Sequence, residues 1–285
     1  NYADMKTQGI EFSINTVNLR FKDFTWSTNF TVGYNQDRIT RLDFNPRIGD
    51  AIVQGGAPIL GGPRRGLFST RFAGLDERGI PTFFDGSGEI VYNYDLQDRE
   101  NLRDILKYEG SAEPQGAGGL NNAFTFRNFT LNVFLSYKFG YKIRLDDAFS
   151  PRYTDFSSLS RSFVNRWVVP GDEEFTDIPV ILDNNVLSAE NPDFQYAYDL
   201  YNKSTARVAD GTYVRLKSIR LGYALPATWA RKIRASNAQI AIEGQNLFLL
   251  YSDAKLNGQD PEFFQSGGVA LPQPRLITTS ISVGF

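Results

Sequence analysis

The chain has 285 residues, with 30 Lys and Arg against 32 Asp and Glu, for a formal net charge of −2. That length holds one large domain or two ordinary ones, and the charge balance favours neither nucleic-acid binding nor an acidic tail. Cys and His are both absent, which excludes disulfides, thiolate and HExxH zinc sites and every His-dependent triad, and leaves carboxylate, Lys or Tyr chemistry.

No metal and no cofactor is expected. Aromatics make up 14% of residues, yet no apolar run approaches the roughly 18–20 residues of a membrane-spanning helix. The opening NYADMKTQG lacks an initiating Met, a basic n-region and an apolar h-region. The expectation is a start left by export processing, or an internal one.

Six stretches carry strand periodicity. From about Gly9 to Leu19, Ile10, Phe12 and Ile14 oppose Glu11, Ser13 and Asn15 before Val17 and Leu19 shift phase. After the short polar turn RFKD comes DFTWSTNFTVGYNQ, with Phe24, Trp26, Phe30, Val32 and Tyr34 on one parity and Thr25, Ser27, Asn29, Thr31 and Asn35 on the other. Successive side chains of a strand point to opposite faces, so one face is aromatic and aliphatic and the other small and polar. The segment from about Arg41 to Asn121 reads as a long loop, with one short helix predicted by Leu102, Ile105 and Leu106.

In NFTLNVFLSYKFG, Phe129, Leu131, Val133 and Leu135 share a face with Tyr137 and Phe139. Arg144 to Gly211 is a second long loop and the most aromatic, including Tyr153, Phe156, Trp167, Tyr196 and Tyr198. TYVRLKSIRLGYALP sets Ile219, Leu221 and Tyr223 against Ser218, Arg220 and Gly222, while Arg215 and Lys217 on the apolar parity place its earlier half beyond the apolar band. SNAQIAIEGQNLF sets Ile240 and Ile242 against Gln239 and Glu243, a third long loop runs from Ser252 to Pro274, and RLITTSISVGF closes the chain with Ile277, Ile281, Val283 and Phe285 on one parity. Strands of about ten residues, apolar on one face and polar on the other, fit a transmembrane barrel. They also fit a soluble sandwich.

The order TYVRLKSIRLGYALP, NAQIAIEGQNLFLLYSDAKLNGQDPE, PQPRLITTSISVGF, preceded by KTQGIEFSI, AGLDERGIPTFFD, GGLNNAFTFRNFTL and NRWVVPGDE, resembles the C-terminal part of SusC-like TonB-dependent outer-membrane transporters. The resemblance covers nearly the whole chain. It implies an all-β fold: an antiparallel transmembrane β-barrel segment, about the last six strands of a plugged barrel of about 22 strands, with long loops. The plug domain and earlier strands are then not in this chain, so residues 1–285 are a C-terminal barrel portion in the bacterial outer membrane. The lipid-facing residues become Phe24, Trp26, Phe30, Val32, Phe129, Leu131, Val133, Leu135, Ile219, Leu221, Ile240, Ile242, Ile281 and Val283. Phe285 matches the terminal aromatic that barrel-assembly machinery reads.

With six strands and a periplasmic C-terminus, residues 144–211 and 252–274 become outer loops and PATWARKIRAS a periplasmic turn. The insertion from 41 to 121 then falls on the periplasmic side, against the short-turn rule. An unread hairpin is expected there, for instance around LFSTRFAGLD and IPTFFD.

The implied partners are a SusD-like surface lipoprotein, the remaining N-terminal barrel and plug, TonB acting through that missing part, and outer-membrane lipid; no nucleic acid is implied. The implied function is TonB-dependent import of an oligosaccharide or peptide, without enzymatic chemistry. Trp167, Asp172, Glu173, Tyr196, Tyr198 and Asp260 are the candidate substrate or partner contacts, the alternative being that they fold the loops themselves. Reading Asp172 and Glu173 as a hydrolytic pair or calcium site is set aside, since adjacent acids on a loop are usually solvated charge. GGAPILGGPRRG lacks the GK[ST] ending of a phosphate loop. The alternative from another class is a secreted, soluble all-β glycan-binding module, in which the apolar faces would converge on one dry core.

Overall fold

A computed structural model describes residues 2–285 except 54, 100–101, 148, 151–158, 160, 182–190, 192 and 264–273. Tyr153, Phe156 and the first two residues of PQPRLITTSISVGF therefore lie outside the described residues. Two compact units are formed: a loop unit of residues 1–6, 37–113 and 142–210, and a sheet unit of residues 7–36, 114–141 and 211–285.

The principal sheet contains β1 (Ala3–Arg20) and β2 (Phe24–Leu42). Between β2 and the next principal strand come α1 (Ile48–Ala51), β3 (Gly66–Thr70), β4 (Phe72–Leu75), β5 (Pro81–Phe84), β6 (Ile90–Val91), α2 (Leu102–Ile105) and β7 (Leu106–Ser111). Then follow β8 (Gly116–Phe126), β9 (Phe129–Phe139), β10 (Lys142–Arg144), α3 (Phe194–Asn202), β11 (Val208–Asp210), β12 (Tyr213–Ala224), α4 (Ala227–Lys232), β13 (Asn237–Tyr251) and β14 (Leu276–Gly284). The sheet order is β1-β2-β8-β9-β12-β13-β14, and every described ladder in it is antiparallel.

Seven strands, one more than the alternation predicts, remove the exception in the loop pattern. The additional strand is β8, so residues 43–115, 140–212 and 252–275 all connect strands at one end of the sheet, and the short connections 21–23, 127–128 and 225–236 lie at the other. Residues 67–70, 72–75 and 81–84 do form strands, as LFSTRFAGLD and IPTFFD suggest, but in small separate sheets. The predicted short helix is α2, which gives way to β7 at Leu106.

Gly116, Gly118 and Gly119 hide β8 from a propensity reading, because glycine weakens a strand and usually marks a turn. Here they make room for β9. A Cβ on Gly116 would lie 2.0 Å from the Phe139 ring, and one on Gly118 would lie 2.1 Å from the Thr31 carbonyl oxygen and 2.5 Å from the Tyr137 hydroxyl. Tyr137 thereby reaches across β8 and donates to the Thr31 carbonyl at 2.8 Å.

β12 corrects another expectation. Its ladder pairs Ile219 with Val133 and Ser218 with Phe134, then skips Lys217 and pairs Leu216 with Leu135 and Arg215 with Ser136. This bulge reverses the phase. Arg215 therefore stands on the polar face with Ser136, and the earlier half of β12 continues both faces of the sheet.

The loop unit is organised around a dry core. Ile48, Phe68, Ile80, Phe83, Leu106 and Phe149 pack with the α3 residues Phe194, Tyr198, Leu200 and Tyr201, and Phe149 meets Tyr201 edge-on at 5.0 Å. Each such side chain contributes about 1.5–3 kcal/mol on burial. The fully buried Arg144 donates to the Phe68 carbonyl, and burial pushes its pKa down to about 10.

Candidate functional site

The register sorts the sheet into two chemically different faces. Partners directly across an antiparallel ladder lie on the same side. Phe24, Phe126, Phe129, Tyr223, Ile240 and Ile281 form one continuous row over six strands, and Trp26, Phe124, Leu131, Leu221 and Ile242 form the next. Trp26 stacks on Phe124 at 5.7 Å, and Phe129 meets Tyr223 at 4.6 Å. Further along come Val133 with Ile219, then Phe30, Leu120, Leu135 and Leu216, then Val32, Gly118 and Tyr137. Val283, opposite Ala238, has the parity of Ile281.

Every residue predicted to face lipid thus falls on one side. None is buried, and Leu221, Ile242 and Ile281 are 50%, 51% and 70% exposed. The core cluster of the loop unit contains none of them.

Polar side chains on this apolar side bond to one another. Trp26 Nε1 and Thr28 Oγ1 both donate to Asn122 Oδ1, at 3.0 and 2.7 Å, and Asn18 Nδ2 donates to Thr28 Oγ1 at 2.6 Å. The reverse side carries Thr25, Thr125, Thr130, Gly222, Ala241 and Ser280 in one row, and Ser27, Ala123, Asn132, Arg220, Glu243 and Thr278 in the next. Arg220 and Glu243 form an ion pair there at 3.6 Å.

Most of the candidate contact residues in the loop unit are engaged within the chain. Trp167 is buried over Gly79, whose φ of +75° and missing Cβ admit the ring: a Cβ there would lie 2.5 Å from it. The indole Nε1 donates to Glu173 Oε2 at 2.8 Å, and the Gly171 N–H donates to the same oxygen at 2.8 Å. The indole hydrogen bond holds the Glu173 carboxyl below the usual carboxylate range. Asp172 Oδ2 accepts from the N–H groups of Val168 and Val169 at 2.9 and 3.0 Å.

Tyr198 is fully buried and donates to the Val180 carbonyl at 2.7 Å, whereas Tyr196 is exposed. The loop built by Trp167, Asp172 and Glu173 holds outward Val168, Val169 and Phe175, the last 87% exposed. Periodicity gave no sign of these three. In the sheet unit, Asp260 pairs with the buried Arg215, which also meets Glu262 at 3.4 Å. The terminal Phe285 is 92% exposed.

No protein-family model matches the chain. Among curated proteins it is similar to the TonB-dependent receptor P3 of Formosa agariphila, with 27% identity over 284 residues, covering 92% of this chain and 26% of the relative. It is also similar to the TonB-dependent receptor SusC of Bacteroides thetaiotaomicron, with 24% identity over 289 residues, covering 98% of this chain and 26% of the relative. Among solved structures, that of the RagAB peptide transporter matches with a TM-score of 0.75 and 19% identity, over 99% of this chain and 30% of that one.

The chain spans between a quarter and a third of the length of these proteins. The likenesses bear out both the resemblance to the C-terminal part of SusC-like TonB-dependent outer-membrane transporters and the antiparallel barrel-segment fold. The chain is an outer-membrane β-barrel segment.

Proposed function

We propose that the chain forms the C-terminal wall of an outer-membrane, TonB-dependent nutrient importer, with the plug and earlier strands supplied by the rest of the protein. The carrying observation is the apolar side of the sheet: continuous across the ladders, unburied, and backed by a small, polar reverse side. Lipid on the first side and a wet lumen on the second satisfy both.

The dimensions agree. From the Phe24 row to Tyr34 the strand climbs ten residues, roughly 33 Å, and a tilt near 40° reduces that to about 25 Å, the height of an outer-membrane apolar band. The mutual bonding of Asn18, Thr28, Asn122 and Trp26 supports the same reading, because lipid offers polar groups no partner. The free edges of β1 and β14 would pair with the remaining strands, closing the backbone hydrogen bonds.

TonB, engaging through the rest of the protein, drives import. A SusD-like surface lipoprotein caps the long loops, which carry Val168, Val169, Phe175 and Tyr196 outward. Trp167, Asp172 and Glu173 set the shape of that contact surface from behind, and Asp260 does the same for the last long loop through Arg215. The imported nutrient is an oligosaccharide or a peptide; the segment contributes wall and loop surface and no chemistry.

The test is to extract the protein from its native outer membrane in detergent and measure the denatured mass of every species. A polypeptide about three to four times the length of this chain, as the 26–30% coverage of the relatives requires, recovered with a lipoprotein, is the expected result. A single water-soluble species of 285 residues would overturn the proposal in favour of the soluble glycan-binding module.

A further inference from the structure

The short-turn end of the sheet concentrates positive charge. Arg20 at the end of β1 and Lys22, Arg127, Arg231, Lys232 and Arg234 on the three connections are all exposed. Asp23 is the one acid on those connections. Six of the chain's 30 cations and one of its 32 acids thus occupy this rim, leaving 24 against 31 elsewhere. Among the described residues one ion pair forms on it, Arg127 Nε with Asp23 at 3.6 Å.

The connections make a contiguous surface. The Arg127 N–H donates to the Asp23 carbonyl at 2.9 Å, and the Ala224 N–H donates to the Asn128 carbonyl at 2.9 Å.

Large apolar side chains are interleaved with these cations. Phe21 beside Lys22 is 65% exposed, and Trp229 and Ile233, one helical turn apart around Arg231 and Lys232, are 56% and 54% exposed. Directly above lies the aromatic row that begins with Phe24 and Phe126 and ends the apolar side of the sheet. A purely aqueous polyanion would satisfy the charges and leave Phe21, Trp229 and Ile233 in water. A phospholipid interface satisfies both, with the rings at the level of the glycerol and the cations reaching its phosphates.

We propose that the rim formed by residues 20–23, 127–128 and 225–236 is a binding surface for anionic phospholipid headgroups of the periplasmic leaflet. The recognised chemistry is a phosphate diester bearing net negative charge, with its acyl chains along the apolar side. The proposal rests on the assignment of that side to lipid. It adds a fixed depth for the barrel and a preference for one lipid charge class over another.

The test uses the intact transporter reconstituted in phosphatidylcholine vesicles carrying trace spin-labelled phosphatidylglycerol or phosphatidylcholine. Electron paramagnetic resonance then gives the fraction of each label immobilised on the protein. The expected result is a several-fold preference for phosphatidylglycerol that weakens with salt and falls toward parity in the triple variant Arg231→Gln, Lys232→Gln, Arg234→Gln. Swapping the three between Lys and Arg should keep it, and an unchanged immobilised phosphatidylcholine fraction will report that each variant remains folded in the bilayer.

Equal association of the two lipids with the native protein would overturn the proposal, as would a preference that the triple variant retains. Displacement of labelled phosphatidylglycerol by inorganic phosphate would assign the rim to free phosphate instead. An absence of any immobilised lipid would reject the lipid-facing wall itself, along with this surface.

Discussion

The loop unit and the sheet unit draw on the same amino acids and place them oppositely. Phe83, Ile80 and Leu67 in the loop unit are fully buried, whereas Ile277, Ile281 and Leu221 in the sheet unit stand half exposed or more. On the proposed reading, a chain that packs one set of aliphatic side chains and leaves another open folds against two solvents. In the loop unit the apolar groups escape water by meeting each other. In the sheet unit they are aligned into rows that need a hydrocarbon neighbour.

The comparison can be broken by mutation, and the largest effect is expected in the loop unit. Phe83, packed against Phe72 and Tyr94 with ring centroids 6.3 and 6.0 Å away, should cost about 3–5 kcal/mol when changed to Ala, read as a fall in the unfolding midpoint of the full protein. Next is Ile277→Arg at a position 75% exposed. In water such a change is worth within about 0.5 kcal/mol, but on the lipid side of a barrel it costs about 2–4 kcal/mol. Reversible unfolding in bilayers should return the second figure, and the first would contradict the two-solvent account.

Gly118→Ala places a methyl group against the Thr31 carbonyl and Tyr137, so a cost of about 1–3 kcal/mol from overpacking is expected in the same unfolding assay. Thr130→Lys on the reverse side should stay within about 0.5 kcal/mol, and a penalty comparable to that of Ile277→Arg would show that this side is not wet.

The smallest effect concerns the loop knuckle. Because Glu173 titrates below its usual range through the Trp167 hydrogen bond, its contribution is present at neutral pH. As the pH falls through the depressed folded value, the carboxylate protonates and that contribution is lost. The emission assigned to Trp167, taken as the difference from a Trp167→Phe variant, should shift to the red below the usual carboxylate range, and Glu173→Gln should bring that shift to neutral pH.

Where alternation is local, the fold was legible. Six of the seven principal strands follow from residues such as Phe24 to Val32 and Phe129 to Leu135, and the register then places those parities on one side. β8 escaped because its Gly116, Gly118 and Gly119 borrow their packing from aromatics on β9, a dependence between strands that no single stretch displays. The phase change at Lys217 is likewise a property of the ladder, since only its neighbours reveal that Arg215 belongs with Ser136. In the loop unit, α2 was readable from Leu102 and Ile105. The Trp167–Glu173 hydrogen bond was not, because it depends on a left-handed Gly171 with φ of 104° and on a glycine far away in sequence beneath the indole.

The central claim is that the two sides of the sheet meet different solvents, and two adjacent positions test it most directly. The chain has no cysteine, so Val133→Cys and Asn132→Cys can each carry a fluorescent label in the reconstituted full-length protein. Lipids brominated along their acyl chains should quench the label at 133 strongly and the label at 132 weakly, while a water-soluble quencher admitted to the lumen should do the reverse. Equal quenching at both positions, or stronger lipid quenching at 132, would contradict the account.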